Sequence, residues 1–181
     1  KTKGKKKANF SVTTFAEKIR PNTDAEPKLG SNQLFHEVAK EMGKNVPTLV
    51  FVHGYANTFK SAIKAGIDLQ NRIRDNGLHI NVVLFTWPSD GRNLYKDYFD
   101  DRQDASTSGA AFVRGIQKLK KFLRKITEDT ACNQPIHLLC HSMGNYVLEK
   151  ALREINASSS LRFPRIFDEI ILAAADVDYD V

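Results

Sequence analysis

From about residue 46 the apolar positions alternate between two periods. Thr48–Val52 is an unbroken β-branched and apolar run, which predicts a strand buried on both faces. Phe59, Ala62, Ile63, Gly66, Leu69 and Ile73 then recur at helical spacing, and Asn76-Gly77 supplies the stop. Residues 80–86 predict a second buried strand, closed by Trp87-Pro88. A long polar loop is expected next. Ser106, Thr107 and Ser108 offer an N-cap to a helix striped by Phe112, Ile116, Leu119, Leu123 and Ile126. Residues 136–139 predict a third strand, and Val147, Leu148, Ala151, Leu152 and Ile155 a helix that starts just after Ser142. Residues 158–160 read as loop and 170–174 as a fourth strand. Upstream, Leu34, Phe35, Val38 and Met42 predict a helix over 31–43 with Gly43 as its stop.

Residues 1–30 are polar, carry Pro21 and Pro27, and read as a basic, largely irregular arm. Within them Phe10, Val12 and Thr14 alternate with Ser11, Thr13 and Phe15, the pattern of a short edge strand. Residues 31–181 form the core. Strands alternating with helices, each strand apolar on both faces, give an α/β class: a mostly parallel sheet with helices on both faces. The abrupt stop at a strand terminus predicts that this core is truncated at its C-terminal end.

Composition changes the picture little. Of the net charge of +6, five units sit on Lys1, Lys3, Lys5, Lys6 and Lys7, so the core is nearly neutral. The arm reads as a solubilising end or a truncated boundary, with contact to nucleic acid or anionic lipid as the alternative, and the rest of the chain shows no basic stripe interleaved with aromatics that would mark a nucleic-acid reader. No apolar run approaches the ~20 residues of an integral membrane span. Cys132 and Cys140 give neither a disulfide framework nor paired metal-ligand spacing. A thiol-reducing compartment is compatible with them, and neither metal nor cofactor is expected.

In parallel sheets the functional groups lie beyond the carboxyl ends of the strands. The third strand ends in Leu139-Cys140-His141-Ser142-Met143-Gly144 and runs directly into a helix. A nucleophilic serine needs this shape: a sharp turn lifts its hydroxyl clear of the sheet, and the helix N-terminus favours developing negative charge. The residues two before and two after must be small, because strand and helix nearly touch there. Gly144 meets that need, and Cys140 stands where glycine is usual. An acyl-transfer site also needs two backbone N–H donors for the oxyanion. Met143, next after the serine, offers one. Gly54, at the end of the first strand, lets the chain turn so that Tyr55 offers the other. His53 has two readings, a catalytic base or a structural histidine bracing that loop.

The segments "FVHGYANTF", "LFTWPSDGRNLYKDYFDDRQDAS", "HLLCHSMGNYVL" and "DEIILAAADVD" together resemble a bacterial α/β-hydrolase family of largely uncharacterised function, over roughly residues 46–181. The resemblance implies a partial α/β-hydrolase fold, Ser142 as nucleophile, and an oxyanion hole from Tyr55 and Met143. It implies no substrate, since the fold hosts many chemistries.

The fourth strand ends in Ala175-Asp176-Val177-Asp178. Either carboxylate could orient a triad histidine, with Asp176 the candidate carried forward and Asp178 beside it; an acid after a further strand beyond Val181, or two exposed turn aspartates, are the alternatives. The stretch after Trp87-Pro88-Ser89 holds Tyr95, Tyr98, Phe99, Asp100, Asp101, Arg102 and Asp104 and is expected beside Ser142, either shaping a pocket or packing as a lid. Chain order in these enzymes is serine, acid, histidine, yet all five histidines (His36, His53, His79, His137 and His141) precede Ser142. The base is therefore expected beyond Val181. The sequence thus points to a serine hydrolase of the esterase or lipase kind, acting on a small-molecule or lipid-like ester. A catalytically inactive hydrolase-like binding or scaffold module is the alternative.

Overall fold

The structure, a computed structural model, describes residues 14–15, 30–91, 95–129, 134–158, 162–163 and 165–177. Lys1 to Lys7, Cys132 and Asp178 lie outside them. Of the strand suggested over 10–15 only Thr14 and Phe15 are described, and both are exposed and irregular. The elements run α1 (Gly30–Met42), β1 (Thr48–Val52), α2 (Phe59–Asp75), β2 (Asn81–Phe85), α3 (Tyr95–Asp129), β3 (Ile136–His141), α4 (Gly144–Ala157) and β4 (Glu169–Ala173).

The four strands form one parallel sheet in the order β2-β1-β3-β4. Parallel neighbours cannot be joined by a tight turn, so a helix lies in each connection. Side chains alternate across the sheet. Val50, Val52, Leu138 and Cys140 face one side, where they join Phe35 and Val38 of α1, Phe112 and Ile116 of α3, and Val147 and Ala151 of α4 in the main core. The opposite side receives α2, whose Gly66 packs over Val82 and Leu84 of β2. This is the all-parallel sheet with helices on both faces that the alternation predicts, a partial α/β-hydrolase fold.

Four expectations need correction. The β2 strand, expected buried, is half-buried throughout: it lies at the sheet edge, and among the described residues only β1 pairs with it. At the other edge, Ile170, Ile171 and Leu172 of β4 are exposed, and β3 is the one described strand beside them. The largest difference lies between β2 and β3. The expected polar loop and the N-cap at Ser106 to Ser108 are instead the first turns of α3, a continuous 35-residue helix. Thr107 and Ser108 do not cap. Their hydroxyls donate back to the Asp104 carbonyl at 3.0 and 2.7 Å, the bond that Ser and Thr make inside a helix. The apolar stripe is missing there because these turns face the polar strand ends: Asp97 and Asp101 are buried. On α1, Leu34 is exposed, while Phe35, Val38 and Met42 are buried. Among the described residues no helix is long and apolar enough to cross a membrane.

Candidate active site

The site is built where β3 turns into α4. Ser142 adopts φ = 51°, the left-handed region that a side chain normally disfavours. Backbone bonds hold it there. Its N–H donates to Ala173 O at 2.9 Å, tying the turn to the end of β4. Its carbonyl accepts from the Asn145 N–H (2.9 Å), the Asn145 Nδ2 (2.9 Å) and the Asp176 N–H (3.3 Å). Asn145 Nδ2 also reaches Ala173 O at 3.3 Å. No described residue hydrogen-bonds to the Ser142 hydroxyl, and none accepts from the Met143 N–H. Met143 itself is fully buried at the head of α4.

Two glycines permit the approach of β1. A Cβ on residue 144 would lie 2.5 Å from the Val52 carbonyl oxygen and 2.8 Å from that of His53. A Cβ on residue 54 would lie 2.8 Å from the Ser142 Cβ and 3.0 Å from His141 O. The requirement for a small residue after the serine is thus met by backbone contact with the neighbouring strand. Before the serine, Cys140 points into the core beside α4. Burial pushes its thiol up to about 12, so it stays protonated and behaves as a small apolar filler.

The β1 loop is braced on three sides. His53 is buried and stacks on Trp87, with ring centroids 5.1 Å apart and planes 8° apart. The Trp87 N–H donates to His53 Nε2 at 3.3 Å, which leaves Nδ1 to donate to Gly54 O at 2.9 Å. The Trp87 indole N–H closes on His53 O at 2.9 Å. Burial draws the imidazole below its ordinary value, against smaller opposing effects of the Gly54 bond and Asp101. With both nitrogens engaged and the ring neutral, His53 braces the loop and is not placed to serve Ser142 as a base. Beyond it, Asn57 Nδ2 donates to Gly54 O (3.1 Å) and Tyr55 O (3.0 Å). The buried Asp101 of α3 accepts from the Ala56 N–H (3.3 Å), the Asp90 N–H (2.9 Å) and the Ser89 hydroxyl. Ser89 Oγ in turn accepts from the Asn57 N–H at 3.1 Å.

Asp176 lies in the turn after β4. Its carboxylate accepts from the Tyr98 hydroxyl at 3.0 and 3.1 Å, and Arg102 Nη1 donates to the same hydroxyl at 3.1 Å. Desolvation holds the Tyr98 phenol above its ordinary value; the Arg102 bond opposes this and the Asp176 contact reinforces it. The Tyr98 ring meets Tyr55 edge-on at 5.4 Å, and the Arg102 guanidinium sits 4.3 Å over the Tyr146 ring. The structure therefore brings Ser142, Met143, Tyr55 and Asp176 to one place. Of the aromatic and charged residues expected beside Ser142, Tyr98, Asp101 and Arg102 reach this region, from a helix and not from a loop. Among the described residues no group of His, Cys, Asp or Glu is placed to hold a metal ion. None of the described histidines bonds to the Ser142 hydroxyl.

Three residues of the site, Asn57, Asp101 and Asn145, carry roles that the sequence does not announce. Those roles are defined by distant backbone groups, and the sequence offers one signal: carboxamide and carboxylate residues where helix termini meet strand ends.

No curated protein and no solved structure matches the chain. The family model described as "Alpha/beta hydrolase of unknown function (DUF900)" matches residues 28–181, the all-parallel sheet with helices on both faces is consistent with it, and the chain belongs to that family.

Proposed function

We propose that the protein is a serine hydrolase that cleaves a carboxylic ester through an acyl-enzyme on Ser142. The observation that carries this reading is the strained turn: Ser142 at φ = 51°, packed against Gly54 and followed by the head of α4. A left-handed serine between a strand and a helix is costly to hold and serves to present a hydroxyl.

In this reading the Ser142 oxygen bonds to the ester carbonyl carbon as its proton passes to a base. The carbonyl π pair moves onto oxygen and is met by the N–H groups of Met143 and Tyr55. Collapse expels the alcohol with a returned proton, and water repeats the steps to release the acid. No cofactor is required. Asp176 is the candidate acid, fixed beside the turn through its backbone bond to Ser142 O. The general base is the part that the described residues do not supply. The substrate class is a small-molecule or lipid-like ester.

A second reading, a binding or scaffold module without turnover, is favoured by one observation: Tyr98 already occupies the Asp176 carboxylate. A fluorophosphonate probe separates the two. The full-length protein should be labelled covalently at Ser142, and Ser142→Ala should abolish labelling. Undiminished labelling of the alanine variant would reject Ser142, and an unreactive full-length protein would favour the binding module.

A further inference from the structure

We propose that Asn57 and Asp101 are the positioning residues that aim the Tyr55 N–H at the oxyanion; the inference rests on the hydrolase reading above. In a trans peptide the C=O and N–H of one planar unit point in opposite directions, so fixing the oxygen end fixes where the N–H points. The Tyr55 N–H belongs to the same unit as the Gly54 carbonyl. That carbonyl is held by two donors, His53 Nδ1 at 2.9 Å and Asn57 Nδ2 at 3.1 Å. The N–H on the other side is directed away from both.

The next two units are held as well. The Tyr55 carbonyl accepts from the same Asn57 Nδ2 at 3.0 Å, and the Ala56 N–H on that unit donates to Asp101 Oδ2 at 3.3 Å. Ala56 sits at φ = 57°, a conformation that alanine holds only when its surroundings impose it. The Asn57 N–H is fixed by Ser89 Oγ at 3.1 Å, and Ser89 is fixed by Asp101. Three consecutive peptide units are thus pinned by the Asn57 carboxamide and the buried Asp101 carboxylate, with His53 Nδ1 adding a bond to the first and Ser89 Oγ relaying Asp101 to the third. Asp101 comes from α3, so the aim of the loop is set by an element outside it.

Asn57 is half-buried and fully engaged: its Oδ1 accepts from the Ser61 hydroxyl at 3.3 Å. Its two side-chain donations both go to the carbonyls that flank Tyr55. A residue needed only to start α2 would have no reason to reach back over that unit, because Thr58 already caps α2 through Ser61 N at 3.2 Å. Neither Asn57 nor Asp101 is expected to touch substrate. Their loss should slow the step in which charge develops on oxygen and leave substrate binding alone.

The test compares the full-length wild type with Asn57→Asp, Asn57→Ala and Asp101→Asn, on a p-nitrophenyl ester and on the matching thiono ester. Asn57→Asp keeps the size and the acceptor but removes the donor, so it should behave as alanine does. Expected for all three variants is a ten- to hundred-fold fall in kcat with KM within two-fold. The wild-type preference for the oxo over the thiono ester should also shrink, because sulfur fits a pinned oxyanion site poorly. A loss carried by KM alone, an unchanged oxo/thiono preference, or full activity in Asn57→Asp would each overturn the positioning role while the Ser142-dependent reaction of the wild type still stands. If the wild type neither turns over the ester nor takes up the fluorophosphonate at Ser142, the hydrolase reading itself falls and this inference with it.

Discussion

At the scale of single residues, Ser142 is held where the chain resists being held. A non-glycine residue in the left-handed region costs about 1–3 kcal/mol. Its carbonyl takes hydrogen bonds from Asn145 N, Asn145 Nδ2 and Asp176 N. Each such bond contributes about 0.5–1.5 kcal/mol net, so together they can offset the strain. Replacing Ser142 separates strain from chemistry. Both Ser142→Gly and Ser142→Ala remove the hydroxyl, but only glycine adopts φ = 51° without a Cβ clash. Ser142→Gly should therefore be more stable than Ser142→Ala by about 1 kcal/mol in urea melts, with both unreactive toward the probe. Equal midpoints would mean that the turn stores no strain. The turn is legible in the sequence, because an apolar strand that meets an amphipathic helix at a serine, with Gly144 two residues on, leaves room only for a sharp bend at that serine. Asn145 is not legible: its partner Ala173 O lies 28 residues downstream, on a strand whose register no local pattern announces.

At the scale of elements, the four strands are legible as apolar runs, and α1, α2 and α4 as stripes of the right period. The α3 helix is legible only over its second half, where it packs against the main core. Its first half presents Asp97, Asp101, Ala105 and Ser108 to the site and neighbouring elements, so its buried face carries little of the hydrophobicity that periodicity detects. The helix is also shaped by contact with α4. A Cβ on residue 109 would lie 2.8 Å from both Ala151 N and Lys150 Cβ, so the two helices pass at backbone distance where Gly109 stands. Alanine there would gain the helix-propensity difference of about 1 kcal/mol but would have to push the helices apart. Overpacking of a close crossing costs about 1–3 kcal/mol, so Gly109→Ala should lower the unfolding free energy, read from the denaturant midpoint. Gly115, whose added Cβ would meet nothing within 4 Å, is the control: alanine there should stabilise by a few tenths of a kcal/mol to about 1 kcal/mol. The same sign at both positions would show that the crossing is looser than its geometry implies.

At the scale of the whole molecule, the class and the parallel sheet follow from alternation, but the strand order does not, because no local signal says that β3 lies beside β1. The order matters because it puts the ends of β2, β1 and β3 side by side. His53 and Trp87 fasten the first two ends together, with Nε2 of the imidazole accepting from the Trp87 amide and the indole closing on His53 O. That joint works only with a neutral ring, and this makes global stability depend on pH. Burial lowers the folded His53 value below 6.5, so as pH falls the unfolded chain takes up the proton first. The contribution is complete above about pH 6.5 and is lost as pH falls toward the lower folded value, at up to ~1.4 kcal/mol per pH unit. Asp104 acts in the opposite sense. Burial and the charges of Asp101, Asp90 and Asp100 raise its carboxyl above 3.8, so its contribution is present in acid and fades as pH rises through the raised value. Subtracting a variant isolates the histidine. Wild type and His53→Gln should show unfolding free energies whose difference is constant above pH 6.5 and shrinks as pH falls below it. A difference that stays flat there would mean that the ring is not held neutral, and that the joint between the two strand ends does not depend on its charge.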